Sequence, residues 1–381
     1  MASYIKYKDK NGKEFYKVQA YLGIDPQTGM KKTTTLRGFR TKRQASNAVV
    51  KAKNDFIHGK IKKPQHITFK ECEEAWWIGY KNRSRESTLV TVSGMFKNHI
   101  LPAFGNKRVN TITIAQIQRI VNSWVKLAPS NFVKWYNYTS CVLDYAVRAG
   151  YVQRNVAKLI ELPKKPEKVE NDGFKFWDKE QLNIFFNYLD YDKKPQVYTM
   201  FRVLAYSGIR KGEMLALTWD DIDFNNNTIR INKTLAKVFN GVKVQPPKTK
   251  NSYRTLDMDN TTMMYLKRWR MDQRRLGLML GFNTNKKSQL VFNNTKNNHH
   301  TLATTGKWLN TIIKATGLPH IKVHGLRHSH ASALFAAGVS IKQVQERLGH
   351  SNAQTTLNIY THVTQKQNAE TINKFVDYLD K

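Results

Sequence analysis

The spacing of apolar residues changes along the 381-residue chain, and each change marks a different kind of folded unit. Apolar and polar residues alternate in the run Phe15–Tyr21, which indicates a β-strand, and a second strand-like run covers Thr33–Leu36. At Thr41 the spacing becomes helical, and Gln44 three residues later completes a capping-box pattern. A fold with one kind of secondary structure throughout is therefore excluded.

Helical spacing alone describes residues 64–165. Capping-box patterns begin at Thr68 and at Thr113, and each is followed by an apolar stripe on one helix face. The stretch Pro163–Gly173 is rich in proline and lysine and interrupts this spacing. These patterns predict an all-α domain that is followed by a linker.

Residues 174–381 mix the two patterns. The alternating run Thr228–Ile231, the turn-rich segment PPKTKNS and the strand-like run Tyr253–Leu256 predict a short antiparallel sheet between helical stretches. A last helical stripe near the end of the chain consists of Ile372, Phe375, Val376 and Leu379. The sequence therefore predicts a multidomain, mainly α-helical chain with small β-sheets: a sheet plus a helix over 1–63, an all-α domain over 64–165, a linker over 166–173 and a mixed α+β domain over 174–381.

The charge of the chain points to a polyanionic partner. The sequence has 63 Lys and Arg against 28 Asp and Glu, a formal charge of +35, and residues 1–63 alone have 16 basic against 4 acidic side chains. Because the cations are spread along the whole chain, nucleic acid is favoured over a membrane surface. Charge alone leaves open a ribosome-associated or generally adhesive basic protein, and for residues 1–63 it leaves open a solvated basic surface.

Composition also bears on location and on cysteine chemistry. The mean hydropathy is −0.57, and no apolar run approaches the roughly 20 residues that a membrane span needs. The first residues lack the apolar stretch of a secretory signal, so a soluble, cytoplasmic protein is expected. Cys72 and Cys141 lie far apart and form no metal-binding pair, and both are expected to be reduced structural thiols.

Four short segments of the last domain concentrate side chains that suit work on a phosphodiester. They are SGIRKGEMLAL with Arg210, PPKTKNS with Lys248, HGLRHSHAS with His324 and Arg327, and LGHSNAQTTLNIYTHV with His350 and Tyr360. A phosphodiester is anionic, and its transition state gathers further charge on the non-bridging oxygens, so fixed cations there accelerate the reaction. Arg210 and Arg327 are candidates for such a clamp, since arginine binds two oxygens at once and stays protonated.

In order and spacing these segments resemble the tyrosine recombinase (phage integrase) family. The resemblance covers the whole C-terminal domain, and it is specific because six separated polar positions agree. It implies a fold with an N-terminal arm-binding domain of a small β-sheet plus a helix, an all-α core-binding domain and a mixed α+β catalytic domain. The basic N-terminal unit resembles the arm-binding domains of integrases from temperate phages and conjugative transposons.

The resemblance also implies a role for each polar position. Tyr360 would be the nucleophile, His324 would assist proton transfer at the tyrosine, and His350 would hydrogen-bond the phosphate. Arg210 and Arg327 would clamp that phosphate, and Lys248 would protonate the 5′ hydroxyl that leaves.

Several alternatives to these roles remain open. Arg210 and Glu213 are spaced to form an ordinary ion pair on a helix surface. Lys250 competes with Lys248 as the general acid, and Tyr253 is the second candidate for the nucleophile. His328 and His330 are expected on other helix faces than His324 and are interpreted as structural or solvent-facing.

The activity that the resemblance implies is site-specific recombination by an integrase. A 3′-phosphotyrosyl intermediate would retain the bond energy, so no ATP or other cofactor is expected. No metal is expected either, because the nearest acidic cluster, which consists of Asp220, Asp221 and Asp223, is interpreted as a helix end and turn. The implied partners are double-stranded DNA at core and arm attachment sites, three further copies of the chain in a tetramer on DNA, an excisionase and a DNA-bending protein, and the implied location is the nucleoid of a bacterial host.

Two other functions and one assembly question stay open at the level of sequence. A topoisomerase would use the same covalent chemistry, and a DNA-binding regulator would share the fold without the activity. The stripe Ile372–Leu379 would dock onto a neighbouring protomer, as the C-terminal segments of the family do, or onto its own domain.

Overall fold

The structure is a computed structural model of the chain, and it describes residues 2–9, 12–24, 30–57, 67–164, 176–247, 249–350, 354 and 356–361. The chain divides into two compact units, one within Met1–Ser84 and Val92–Pro166 and one within Arg85–Thr91 and Glu167–Lys381. The predicted linker 166–173, Lys248 and the stripe Ile372–Leu379 lie outside the described residues.

The chain begins with the predicted small sheet and helix. Strands β1 (Ala2–Lys8), β2 (Glu14–Ile24) and β3 (Lys31–Phe39) form an antiparallel sheet in the order β1-β2-β3, and helix α1 (Lys42–Ile57) follows. Val18 and Ala20 of β2 are buried with Ala45 and Val49 of α1. The Thr41 hydroxyl accepts a hydrogen bond from the Gln44 amide at 3.2 Å, which confirms the predicted start of the helix.

A run of helices follows. They are α2 (Phe69–Lys81), α3 (Glu86–Met95), a π-helical turn (Phe96–Ile100), α4 (Leu101–Phe104), α5 (Ile114–Leu127) and α6 (Phe132–Arg148). Both predicted capping boxes are present, at Thr68 before α2 and at Thr113 before α5. An aromatic core that includes Trp76, Trp124 and Trp135 fills the space between the helices. The prediction of an all-α region is confirmed for the residues that the structure describes between 67 and 164.

The two cysteines differ in environment. Both are free thiols, as expected, and Cys72 is buried in the aromatic core. Cys141 is exposed, so the prediction of two structural thiols is right only for Cys72.

The second unit combines helices with two small sheets. Its elements are α7 (Lys179–Tyr188), α8 (Pro195–Ser207), α9 (Lys211–Ala216), β4 (Ile222–Asp223), β5 (Thr228–Ile231), β6 (Thr234–Val238), β7 (Gly241–Gln245), β8 (Arg254–Asp257), α10 (Asn260–Met279), α11 (Thr304–Thr316), α12 (Val323–Ala336), α13 (Ile341–Leu348) and a helical segment over 356–361. Strands β4, β5 and β8 form the predicted antiparallel sheet, and β6 pairs with β7 in a hairpin. Helix α8 is buried on almost every side and lies at the centre of the core.

The acidic cluster beside the sheet has the structural role predicted for it. Asp221 is buried and accepts hydrogen bonds from Thr218, and it forms an ion pair with Lys233. Asp223 accepts hydrogen bonds from two backbone amides of the turn that follows it. Among the described residues no group of three or more acidic, histidine or cysteine side chains is arranged to hold a metal ion. In the same part of the chain, no helix combines the length and the apolar character that crossing a bilayer requires.

Candidate active site

Arg327 is the most deeply buried of the predicted site residues. It lies in the second turn of α12, and only 1% of the residue is exposed. One terminal nitrogen donates to the carbonyl of Gly208 at 2.7 Å and the other to the carbonyl of Leu348 at 2.6 Å. Among the described residues its Nε atom has no hydrogen-bond partner. Burial and then the nearby Arg210 lower the pKa of Arg327 to about 9, so the guanidinium remains charged at neutral pH.

Arg210 lies at the start of α9 and is held by two acceptors. Its Nη1 atom donates to a carboxylate oxygen of Glu213 at 2.8 Å, and its Nη2 atom donates to the carbonyl of Gly349 at 3.2 Å. The Arg210 side chain is 37% exposed, whereas Glu213 is only 3% exposed. The contact between Arg210 and Glu213 is therefore a buried anchor for the arginine, and the alternative of an ordinary surface pair is wrong.

Two glycines in left-handed conformations bring these carbonyls to the arginines. Gly208 ends α8 with φ of 66°, and Gly349 ends α13 with φ of 67°. A Cβ atom on Gly208 would lie 2.6 Å from the His330 ring, and one on Gly349 would lie 2.8 Å from the carbonyl oxygen of Asn251. Glycine is required at both positions because another residue would meet both an unfavourable φ and a steric clash.

His324 lies one turn before Arg327 on α12, as the i, i+3 spacing predicts. Its side chain is exposed, yet partial removal of water and the positive charges of Arg327 and Arg210 lower the pKa of His324 to about 4. The ring of His328 contacts it edge to face, with the ring centroids 4.8 Å apart. The expectation that His328 lies on a different face is therefore wrong, because residues four apart share one side of a helix.

His350 follows the turn at Gly349 and is buried. Its Nδ1 atom lies 2.8 Å from the hydroxyl of Thr356, which is itself completely buried. Burial and then the charges of Arg327 and Arg210 lower the pKa of His350 to about 3. Both His324 and His350 are thus neutral at pH 7, so each ring has one nitrogen that donates a hydrogen bond and one that accepts a proton or a hydrogen bond.

His330 has the structural role that was predicted for it. Its Nε2 atom accepts a hydrogen bond from Nε of Arg347 at 3.1 Å, so its Nδ1 atom carries the proton and donates to the carbonyl of Ala205 at 2.9 Å. Burial and the charge of Arg347 lower the pKa of His330 to about 4.

Tyr360 lies on the helical segment 356–361, one turn after Thr356. Its ring packs edge to face on Phe335 with the centroids 5.2 Å apart, and the residue is 37% exposed. Phe335 is eight residues beyond Arg327, which corresponds to about 12 Å along the axis of α12. Thr356 and Tyr360 share one helix face, so the hydrogen bond between Thr356 and His350 links the nucleophile candidate to the cluster.

The structure brings four of the six predicted side chains together: Arg210, His324, Arg327 and His350. It places Tyr360 on the segment that Thr356 joins to His350, with its ring against Phe335. Lys248 lies outside the described residues, and the alternative nucleophile Tyr253 is 51% exposed just before β8.

Sequence reasoning missed one residue of the cluster, Arg254, and considered Glu213 only as the partner in an ordinary surface ion pair. Arg254 donates to a carboxylate oxygen of Glu213 at 2.9 Å, and both side chains are less than 10% exposed. Although burial alone would raise the pKa of Glu213, Arg254 and Arg210 hold it below the usual value. The strand pattern could have indicated Arg254. Residues two apart in a strand lie on the same face, so Arg254 lies on the face of β8 that buries Leu256.

Taken together, these groups form a site for an anion. One carboxylate stands against three guanidinium groups, and the two imidazoles carry no charge at neutral pH. The exposed part of Arg210 and the ring of His324 offer donors and an acceptor to solvent. Such a site stabilises added negative charge on an oxyanion and exchanges a proton near it.

Stability should fall as the pH drops below about 6.5, because the buried imidazoles of His330 and His350 resist protonation in the folded protein. Their folded pKa values lie below the unfolded value, so the unfolded chain binds protons first and each group removes about 1.4 kcal/mol per pH unit. The free energy of unfolding, measured in denaturant between about pH 6.5 and pH 5, checks this.

The matched variants for this measurement are His330→Gln and His320→Gln. Glutamine at 330 can keep both hydrogen bonds without titrating, so the slope of stability against pH should become shallower. His320 is exposed, and its replacement should leave the slope as in the parent protein. Equal slopes in all three proteins would contradict the assignment to His330.

Comparison with known families accounts for most of the chain. Residues 175–367 match the phage integrase family, residues 68–125 match the N-terminal SAM-like domain of phage integrases, and residues 4–56 match the arm DNA-binding domain. A tyrosine recombinase XerC-like protein of Caldanaerobacter subterraneus subsp. tengcongensis is 30% identical over 97% of this chain and 97% of its own length. The ICEBs1 integrase of Bacillus subtilis is 26% identical over 98% of this chain and 99% of its own length.

Solved structures share the same fold. The Tn1549 transposon integrase, in complex with transposon right end DNA, superposes with a TM-score of 0.65 at 17% identity, over 81% of this chain and 100% of that chain. A lambda integrase tetramer bound to a Holliday junction gives a TM-score of 0.55 at 16% identity, over 91% of this chain and 96% of that chain. With the cluster of arginine and histidine side chains in place, these matches show that the chain belongs to the phage integrase family and is a site-specific tyrosine recombinase that integrates a mobile element.

Proposed function

We propose that this recombinase cleaves DNA with Tyr360 while Arg210 and Arg327 hold the scissile phosphate. The observation that carries the proposal is the convergence of two arginines and two neutral histidines from three separate segments of the chain. Arg210 is partly exposed, and Nε of Arg327 has no partner among the described residues, so a phosphate oxygen would satisfy donors that the protein does not.

The proposed reaction exchanges one phosphate ester for another. The Tyr360 oxygen attacks phosphorus, a bond from that oxygen to phosphorus forms, and the bond from phosphorus to the 5′ oxygen breaks. His324 assists removal of the phenolic proton, His350 donates a hydrogen bond to the phosphate, and Lys248 gives a proton to the departing 5′ oxygen. The product is a 3′-phosphotyrosyl link, and the 5′ hydroxyl of a partner strand reverses the step without metal or ATP.

Three domains and one linker are proposed along the chain. They are an arm-binding domain over 1–63, a core-binding domain over 64–165, a linker over 166–173 and a catalytic domain over 174–381. In the first part Val18 and Ala20 face α1, so the alternate residues of β2, Lys17 and Gln19, lie on the opposite face of the sheet. Such a polar and basic sheet face suits a DNA groove.

The proposed assembly is four protomers on two duplexes that exchange strands through a four-way junction. The tetrameric lambda integrase on a Holliday junction supports this arrangement by its similar fold. Attachment-site DNA, an excisionase and a DNA-bending protein are the proposed partners. The proposed location is the nucleoid of a bacterial cell, and the stripe Ile372–Leu379 is proposed to dock on a protomer of the assembly.

A nicked duplex from which the cleaved strand cannot be religated should trap the protein on DNA. The parent protein should form a covalent adduct at Tyr360, and Tyr360→Phe should form none, because phenylalanine has no oxygen to attack phosphorus. Tyr253→Phe should behave as the parent, and a chelator should change neither result. An adduct that maps to another residue, or that needs a divalent metal ion, would contradict the proposed chemistry.

Replacing the bridging 5′ oxygen by sulfur should identify the general acid. A thiol has a pKa near ~8.5, so the thiolate leaves without a proton. Lys248→Ala should slow cleavage of the ordinary phosphodiester by about 10²- to 10⁴-fold and should slow the sulfur substrate much less. Lys250→Ala is the matched control, and sulfur rescue of that variant alone would assign the role to Lys250.

Loss of the N-terminal unit should separate integration from cleavage. Deleting residues 1–63 should abolish integration and leave core-site cleavage intact, because arm contacts only raise the effective concentration of the assembled protomers. Integration should also fall when Lys17→Ala and Arg37→Ala are combined, because both side chains lie on the face of the sheet that α1 does not cover. Lys51→Ala with Lys53→Ala on α1 removes the same charge and should have a smaller effect; equal losses in both pairs would mean that only net charge matters.

A further inference from the structure

Arg254 differs from the proposed phosphate-binding arginines in that all three of its nitrogens are used by the protein. Nε donates to the carbonyl of Arg347 at 2.9 Å, Nη1 to the carbonyl of Ser252 at 3.0 Å and Nη2 to the carboxylate of Glu213 at 2.9 Å. The side chain is only 7% exposed. Every nitrogen of Arg254 thus already donates within the protein, whereas Nε of Arg327 has no partner among the described residues, so we expect Arg254 to act through other residues.

The first of these residues is Glu213. One of its oxygens, Oε2, accepts both the backbone amide of Arg210 and Nη2 of Arg254, each at 2.9 Å, while Oε1 accepts Nη1 of Arg210. The position of the carboxylate is thus fixed between two guanidinium groups. Because Glu213 is 3% exposed, water cannot replace Arg254 if that contact is lost.

The second contact ties β8 to the end of α13. Arg254 donates to the carbonyl of Arg347, and Arg347 donates in return to the carbonyl of Asp257 at 3.1 Å. The three residues after Arg347 are those that orient the site: the carbonyl of Leu348 accepts from Arg327, the carbonyl of Gly349 accepts from Arg210, and His350 is the buried imidazole.

Close packing at Gly349 leaves this turn little freedom. A Cβ atom placed there would lie 3.2 Å from Nη1 of Arg254 and 2.8 Å from the carbonyl oxygen of Asn251. Arg254 thus borders the turn on one side and bonds the carboxylate that holds Arg210 on the other.

We propose that Arg254 is a positioning residue that fixes the separation between Arg210 and the Leu348–His350 turn, and so sets the geometry of the phosphate clamp. This inference rests on the proposed role of Arg210 and Arg327. Loss of the guanidinium would let Glu213 and the turn shift independently, and a displacement of about 1 Å at a reacting centre costs about 10²-fold in rate.

The test compares single-turnover formation of the covalent adduct on two nicked duplexes. One carries the ordinary phosphodiester at the cleavage site, and the other carries a methylphosphonate, in which a neutral methyl group replaces a charged non-bridging oxygen. A misplaced clamp harms stabilisation of that charge, so Arg254→Lys should be slower than the parent by about 10²-fold on the phosphodiester and by a clearly smaller factor on the methylphosphonate. Arg254→Lys keeps a positive charge beside Glu213 and is the variant expected to fold; Arg254→Met is the second.

Three controls separate positioning from loss of folded protein. A smaller folded fraction lowers the amplitude of the reaction on both duplexes in equal proportion and leaves the rate unchanged. Arg230 lies on the neighbouring strand opposite Thr255, and its side chain is 57% exposed, so Arg230→Lys should match the parent on both duplexes. Binding of the uncleaved duplex by Arg254→Lys should stay close to that of the parent.

The result for Arg210→Lys distinguishes failure of this inference from failure of the proposed function. The clamp stands and the proposed role of Arg254 is wrong in either of two cases. In the first, the rate defect of Arg210→Lys is smaller on the methylphosphonate than on the phosphodiester, but that of Arg254→Lys is not. In the second, Arg254→Lys reacts at the parent rate. If the rate defect of neither variant is smaller on the methylphosphonate, the clamp role of Arg210 itself is wrong.

Discussion

Burial of the Arg327 guanidinium is the constraint on which the rest of the catalytic unit depends. A charged group in a protein core is strongly unfavourable unless its donors are satisfied, and the protein meets this need with the carbonyls of Gly208 and Leu348. Both carbonyls belong to helix ends, where acceptors are left unused by the helix itself. The ends of α8 and α13 are therefore brought to α12, and the residues that follow them, Arg210 and His350, arrive beside Arg327.

The electrostatics of the site follow from this arrangement. Three guanidinium groups face one carboxylate, and burial followed by the nearby positive charges of Arg327 and Arg210 lowers the pKa of both His324 and His350, which keeps them neutral. A neutral imidazole can accept a proton or donate a hydrogen bond to phosphate. Protonated imidazoles would instead compete with the arginines for the carboxylate of Glu213. In the proposed reaction these charges would be in place before substrate binds, and preorganised charge of this kind stabilises a dianionic transition state.

Tyr360 is less buried than Arg327 and His350. The arginines and His350 are fixed by buried contacts, but the tyrosine is partly exposed and packs on Phe335. Its segment is anchored by buried Ile359 and by the bond between Thr356 and His350. The residues proposed to clamp the phosphate are therefore held by buried contacts, whereas the proposed nucleophile is partly exposed, and the proposed covalent step requires its oxygen to reach the phosphate.

The sequence by itself determined the fold class and the helix starts at Thr41, Thr68 and Thr113, because caps and apolar spacing report contacts between near neighbours. The resemblance of its motifs to the phage integrase family indicated Arg210, His324, Arg327 and His350, which the structure brings together. Only the tertiary structure decided that Glu213 is a buried anchor and that Arg254 joins β8 to α13. Arg210 and Gly349 are 139 residues apart, and Arg254 and Arg347 are 93 apart. No local pattern specifies such pairs, since burial of a charge at one place is made favourable by an acceptor that packing delivers from another.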